Sequence, residues 1–456
     1  MNVKLLSRAA FTLSAATFLI FSAQGAVAQQ ALNNTQQISL RDAVAVGVTT
    51  NPEYGVVANN RRATDEELNQ AKALYRPSID LRADTGVEHN DDPATRSRPR
   101  GGDTETMWRY ETSLTLTQML FDGFETKYEN ARQQARVLSA SNRVREASEL
   151  IGLSIVEAYL DVMRQRELLR IARENVADHM AILEQINDSA HAGRSTRADG
   201  EQAKARMAAA RANEASVRES LRVAEANYVR YVGDVAPDLI MPEVPVGSLS
   251  ADVEKELQLA LSQSPTLAIY NADIEVAHAE YESTKGVMYP QIDLQLNGRT
   301  GNDINGIEGR DHNATALVVM NWNLYRGGGD TARVREYINR EAQAKEARVQ
   351  MARGVENDVR QTWARMVSAG ERAREFAAQA SANTEVVKAY KDQFDLNRRT
   401  LLDVLDSQNE LFVSKSNTIN SEFLEIFAVY RLLALKGELL ANLQVQPPRE
   451  SFPEKM

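Results

Sequence analysis

The sequence predicts a mixed fold in which strands of a shared membrane β-barrel are joined to long coiled-coil helices, the whole written as a duplicated strand-strand-helix-helix unit. Three observations predict it. Punctuation recurs at a fixed offset: Leu120-Phe121-Asp122-Gly123 is answered by Leu324-Tyr325-Arg326-Gly327, and the same offset pairs Tyr159 with Trp363, Thr196 with Thr400, Asp199 with Asp403 and Gly233 with Gly437. Four segments of about ten residues alternate apolar and polar side chains, the two-residue period of a strand with one oily face. Between them, stretches without proline and rich in Ala, Arg, Glu, Gln and Leu read as helices far longer than an ordinary globular one.

Taken in order, residues 1–28 read as a signal peptide: Lys4 and Arg8 precede the apolar run AAFTLSAATFLIFSA, and Ala26-Val27-Ala28 supplies small residues for cleavage. The run is shorter than the ~20 residues of a spanning helix, and no later segment matches it. The first repeat, 29–245, opens with a helix from Pro52 to Tyr75. Strands follow at about 78–88 and 107–119, with Ile79, Leu81, Ala83, Thr85 and Val87 on one face of the first and Trp108, Tyr110, Thr112, Leu114 and Leu116 on one face of the second. The segment HNDDPATRSRPRGGDTET between them reads as an exposed loop. The second repeat, 246–445, copies this order with strands at about 291–300 and 314–324 around the shorter loop GNDINGIEGRDHN. Residues 446–456, with three prolines and mixed charge, read as a disordered tail.

Each hairpin leads into a long helix, about 125–191 in the first repeat and 330–395 in the second, roughly 100 Å at about 1.5 Å per residue. A second helix returns beside it, over about 196–232 and 400–437. Ile151, Ile155, Ala158, Val162, Gln165, Leu169, Ala172 and Val176 recur at steps of four and three, as do Ala203, Met207, Ala210, Val217, Leu221, Ala224 and Tyr228, with Glu214 a misfit. The returning helix and the opening helix together come close to the long helix in length, so each repeat has the shape of a stave with one continuous and one broken track. Four strands cannot close a membrane barrel, because an open edge in lipid leaves backbone groups unpaired. Several chains must therefore share one barrel, and three would supply twelve strands.

With these features in place, the chain resembles the TolC family of outer-membrane efflux and secretion channels over nearly all of its length. The resemblance rests on Asn51-Pro52 and Ser264-Pro265, on Pro77-Ser78-Ile79-Asp80-Leu81 and Pro290-Gln291-Ile292-Asp293-Leu294, and on the LFDG and LYRGG turns. Its most specific part is FDLNRRTLLDVLDSQNELF, Phe394 to Phe412. It implies a non-lipidated homotrimer, a barrel of 12 strands above a periplasmic tunnel of 12 helices, and an outer-membrane location with a long periplasmic extension. As partners it implies outer-membrane lipid, a periplasmic adaptor (membrane fusion protein) and an inner-membrane pump of RND or ABC type. It also assigns a periplasmic gate. Asp403 and Asp406 match the acidic pair of the tunnel mouth, Arg399 and Phe394 match positions whose links hold neighbouring helix pairs closed, and Asp199 matches an acceptor of such a link. Phe394 stands where tyrosine is frequent and Asn397 where glycine is usual.

Composition removes other classes of function. The chain has no Cys, 53 Lys and Arg against 63 Asp and Glu, and a net charge of -10, which speaks against disulfides, thiolate metal sites and nucleic acid as a partner. Its five His stand at non-ligand spacings, Gly327-Gly328-Gly329 lacks the Lys-Ser/Thr of a phosphate loop, and no nucleophile has a paired base. Neither a catalytic activity nor a cofactor nor a metal is expected. The expected function is a passive exit duct of a tripartite efflux or type I secretion system, gated at its helical tip; the alternative is a periplasmic coiled-coil spacer without a pore.

Overall fold

The computed structural model describes residues 37–91, 93–96, 104–191, 195–396 and 398–453. The expected signal peptide and Asn397 lie outside the described residues. In chain order the elements are α1 (Leu40–Thr50), α2 (Pro52–Ala73), β1 (Ser78–Asn90), α3 (Pro93–Arg96), β2 (Glu105–Phe121), α4 (Glu125–His191) and α5 (Arg197–Val232). The second repeat supplies α6 (Val253–Gln263), α7 (Pro265–Thr284), β3 (Gln291–Asn302), β4 (Arg310–Asn321), α8 (Gly329–Asp395), α9 (Leu401–Lys436) and α10 (Leu439–Asn442). The duplication is exact in the helices: α4 and α8 have 67 residues each, α5 and α9 have 36 each, and both pairs start at the same offset.

Local chemistry sets the breaks. Pro52 and Pro265 each occupy a first helical turn, where the missing N–H costs nothing, so α1 stops before α2 and α6 before α7. Asn51 caps α2 by accepting the Glu53 N–H at 2.8 Å. Helices α1 and α6 are additions to the sequence reading, which placed the opening helix of the first repeat at Pro52 and named none before the proline in either repeat. At the other end of β2 the chain turns through Gly123, with φ 70°, and a Cβ there would lie 2.5 Å from the Gly286 carbonyl oxygen. Only glycine permits both the left-handed turn and this close approach.

The four strands form one antiparallel sheet in the order β1-β2-β3-β4, so the two hairpins lie side by side and β2 pairs with β3 across the repeats. Strand residues extend into both expected loops. β1 and β2 take His89, Asn90, Glu105 and Thr106, a short helix occupies Pro93–Arg96, and β4 begins at Arg310, not near 314. Long antiparallel pairing outweighs the local turn signals there.

Helix α4 is the spine. It packs against α2 and α5 along its own repeat and against α7 and α9 of the other, while α7 and α9 also lie along α8. The largest core sits midway along α4, where Val44 of α1, Ile155 and Tyr159 of α4, Tyr228 of α5, Leu433 of α9 and Leu439 of α10 are buried together. The one proton of the Tyr159 hydroxyl is shared between the carbonyls of Ile38 and Ile240, at 2.8 and 2.7 Å, beside the Ile38–Leu239 bridge. Residues 446–453 of the tail expected to be disordered take a defined structure, and residues 454–456 lie outside the described residues. Arg449–Ser451 form a 3-10 turn, and the Glu450 carboxylate accepts from the Tyr54 hydroxyl at 2.8 Å and from Arg62 at 2.6 Å. A single well-placed carboxylate outweighs the prolines around it.

Candidate channel wall and helical tip

The sheet has two chemically distinct faces. Strand register puts Ile79, Leu116, Leu296 and Ala316 in one row and Leu81, Leu114, Gly298 and Ala314 in the next, an apolar band that is largely exposed. Trp108 and Tyr110 border it at one end, and Tyr75, Tyr289, Trp322 and Tyr325 at the end where the helices begin, the two-girdle arrangement of a lipid-facing barrel wall. The opposite face carries a ladder of charge. Arg109 lies 2.8 Å from Asp84 and 3.6 Å from Glu88 and pairs with Glu111, while Arg299 lies 2.6 Å from Asp311 and 3.9 Å from Glu111. Leu317 and Val319 of β4 depart from this polar face near the helices. β1 and β4 each pair on one side only, leaving two open edges. No helix among the described residues is long and apolar enough to cross a membrane.

At the far end, two helical turns approach each other. Thr196 and Thr400 cap α5 and α9, and in each case the aspartate three residues on completes a reciprocal capping box. The Asp199 carboxylate accepts from the Thr196 N–H and hydroxyl at 2.9 and 2.7 Å, which hold it below the usual carboxylate range. The Thr400 hydroxyl and N–H, at 2.8 and 3.2 Å, do the same for Asp403. Two residues expected to serve a gate are thus also structural caps in this chain. Arg399 lies 3.8 Å from Asp403, donates to Gln393 at 3.0 Å and stacks 4.1 Å above the Tyr390 ring.

Phe394 makes no polar link to Asp199. It packs with Ile182, Ile186, Ala203, Leu401, Val404 and Leu405 in a small apolar cluster joining α4, α5, α8 and α9. Asp406 is taken by Arg206 of α5 at 2.7 Å. Gln185 of α4 donates to Asp395 of α8, and Lys391 of α8 lies 3.6 Å from Asp178 of α4. Above the cluster the α4 stripe turns polar at buried Asn175 and His179, and burial holds the His179 imidazole below the usual histidine range, hence neutral at pH 7. Sequence reasoning missed Arg206, Gln185, Asp178 and Lys391, because each acts only through a partner on a helix remote in sequence. Their one common signal is a position on the last four turns before, or the first three after, a tip turn.

Helix α8 buries seven of its residues against 27 for α4, although the two are equally long, so one lateral face of the chain stays uncovered alongside the open edge of β4. One chain is therefore a segment of wall with an apolar outside, a charged inside and two unfinished sides.

Comparison with known proteins agrees with this geometry. The chain is 28% identical over 392 residues to the outer membrane efflux protein BepC of Brucella suis, covering 84% of this chain and 81% of that protein. It is 22% identical to the alkaline protease secretion protein AprF of Pseudomonas aeruginosa, over 88% of this chain and 85% of that one. Among solved structures, the CmeC outer membrane channel of Campylobacter jejuni superposes with a TM-score of 0.76 at 11% identity, covering 91% of this chain and 90% of that chain. The family model described as outer membrane efflux protein matches residues 49–234 and 257–437, one block in each repeat, and the chain belongs to that family.

Proposed function

We propose that three copies of this chain close a 12-stranded barrel in the outer membrane and continue it into a 12-helix periplasmic duct, the exit of a tripartite efflux or type I secretion system. The observation that carries this reading is the sheet: four strands with an apolar and a charged face, and an unpaired edge on both β1 and β4. Backbone groups at such edges are too costly to leave in lipid, and pairing β4 of one copy with β1 of the next satisfies all of them at once. In each copy α4 and α8 are continuous, while α2 with α5 and α7 with α9 make two stacked tracks, giving four tracks per chain.

On this reading the helical tip docks on a periplasmic adaptor, which joins the duct to an inner-membrane pump of RND or ABC type that supplies the energy. The tip is the gate, with Asp403, Asp406, Arg399, Phe394 and Asp199 around its mouth. BepC and AprF, similar to the chain at comparable coverage, are an efflux and a protease secretion protein respectively. Mature protein extracted from membranes should run as a trimer in mild detergent and conduct ions in a planar bilayer. A monomer extractable without detergent, inserting no pore, would return the protein to the spacer reading.

A further inference from the structure

The two faces of the sheet differ in the sign of their charge as well as in polarity. Every Asp and Glu of the four strands, Asp84, Glu111 and Asp311 among them, stands on the inward face, and the outward face has none. The basic side chains of the outward strand positions are His89, Arg310 and His312, all at the end remote from the helices. Arg310 is exposed and has no ion-pair partner among the described residues, while the His312 Nδ1 and the Thr300 hydroxyl lie 2.8 Å apart.

Next to Arg310 and His312 the apolar band thins. The row that begins with Leu81 and Leu114 continues as Gly298 and Ala314, and the missing side chains leave a groove of about 380 Å³ bordered by Leu114, Thr300 and His312. Arg299 and Asn313 also line it, and since their side chains belong to the inward face, sheet backbone forms its floor. A Cβ added to Gly298 would meet no atom within 4 Å, so the groove is open above the strand. His312 and Arg310 stand one and two rows farther out, about 7 and 14 Å along the strands. Their height fits a bilayer. Ten residues separate His312 from Trp322 of the girdle beside the helices, about 34 Å of strand, which at a tilt of about 40° rises about 26 Å, against about 25 Å for the apolar band of a membrane barrel. Both basic groups therefore lie at the headgroup level of the outer leaflet.

We propose that each copy binds one anionic, phosphate-bearing lipid of the outer leaflet, with an acyl chain in the groove over Gly298 and Ala314 and a phosphate held by Arg310 and His312. The site rests on the barrel reading above, in which this face meets lipid; pairing β4 with a neighbouring β1 extends the wall sideways and leaves the groove uncovered. A guanidinium at the edge of hydrocarbon needs an anionic partner, and a phosphate supplies the charge-assisted bonds that the protein itself withholds. No carboxylate on this face competes for Arg310 or repels the phosphate. The inward arginines are instead taken up by carboxylates, Arg109 by Asp84 at 2.8 Å and Arg299 by Asp311 at 2.6 Å.

The test uses the full-length trimer, purified in mild detergent and offered diphosphoryl lipid A or phosphatidylcholine, with bound lipid read by native mass spectrometry. Lipid A is expected to give three firmly held adducts per trimer, at an affinity about tenfold above that for phosphatidylcholine. Arg310→Gln should weaken lipid A binding about tenfold. Gly298→Leu fills the open groove without touching a charge and should weaken it by a similar factor. Arg82→Gln removes a cation from the inward face of β1 and should leave binding within about twofold. Excess inorganic phosphate should not displace the lipid. Undiminished binding in either the Arg310→Gln or the Gly298→Leu trimer, equal loss with Arg82→Gln, no preference over phosphatidylcholine, or displacement by inorganic phosphate would overturn the site. Failure of the unaltered protein to form a detergent-stable trimer would instead overturn the barrel reading on which it rests.

Discussion

Asp199 and Asp403 show one side chain answering to two demands. Each was picked out from sequence for a gate, and each is held by the threonine three residues before it. The capping pair was legible because its members are neighbours in sequence. Replacing Thr400 by Ala should therefore fray the first turn of α9, costing about 1 kcal/mol locally, and speed amide exchange over residues 401–404 without altering the rest of α9. The partner of Asp406 was not legible, since Arg206 is 200 positions away. Glu149 was equally invisible. It is buried on α4, where it accepts the Leu439 N–H at 2.9 Å, and burial pushes its carboxyl up to about 7. With the folded value above the unfolded one, near 4.5, the native state binds the extra proton and stability is lost as pH rises from about 4.5 through about 7. Glu149→Gln keeps an acceptor for Leu439 and cannot ionise, so it should melt close to the native protein at pH 4 and be more stable by about 1–3 kcal/mol at pH 8. Thermal denaturation in detergent at the two pH values checks the sign.

At the scale of the element, helix ends were more legible than strand ends. The bounds of α4 follow from Gly123 and the tip turn, local signals of high strength, whereas β4 starts earlier than its alternation suggested because twelve paired positions with β3 carry it through polar sequence. The short helices α1 and α6 were hidden by the prolines behind them. The tail was misread for a different reason: composition describes what a segment lacks, and it cannot register a specific clamp. Glu450 holds Tyr54 and Arg62 of α2 across almost the full length of the sequence, and Tyr54 is correspondingly pushed up to about 12, first by burial and then by this bond. Glu450→Gln should weaken the clamp by about 1–2 kcal/mol and expose residues 446–453 to protease and to amide exchange, with α2 loosening only beside Tyr54 and Arg62. Unchanged protection of that segment would assign its docking to Val445 and Ser451, both of which are buried.

For the whole molecule, the stave was readable because it depends on lengths and periods, quantities that a sequence displays without knowledge of contacts. What could not be read was which side of each stave meets which, since the two repeats are nearly alike in helical pattern while their buried residues fall differently. The spine role of α4 belongs to the structure alone. Deleting one heptad, about 10 Å of helix, from α4 alone should misplace the α5 turn relative to α9 and prevent trimer assembly. Matched heptad deletions from α4, α5, α8 and α9 should restore it, as native gel migration would show.

That pairing of 67 residues against 67 has a wider meaning. The distance from the outer bilayer to the helical tip is written twice in the same polypeptide, so neither copy can lengthen or shorten by itself. A lineage adapting to a cell envelope of different depth must edit both copies in register, which makes the reach of the duct one of its least negotiable dimensions.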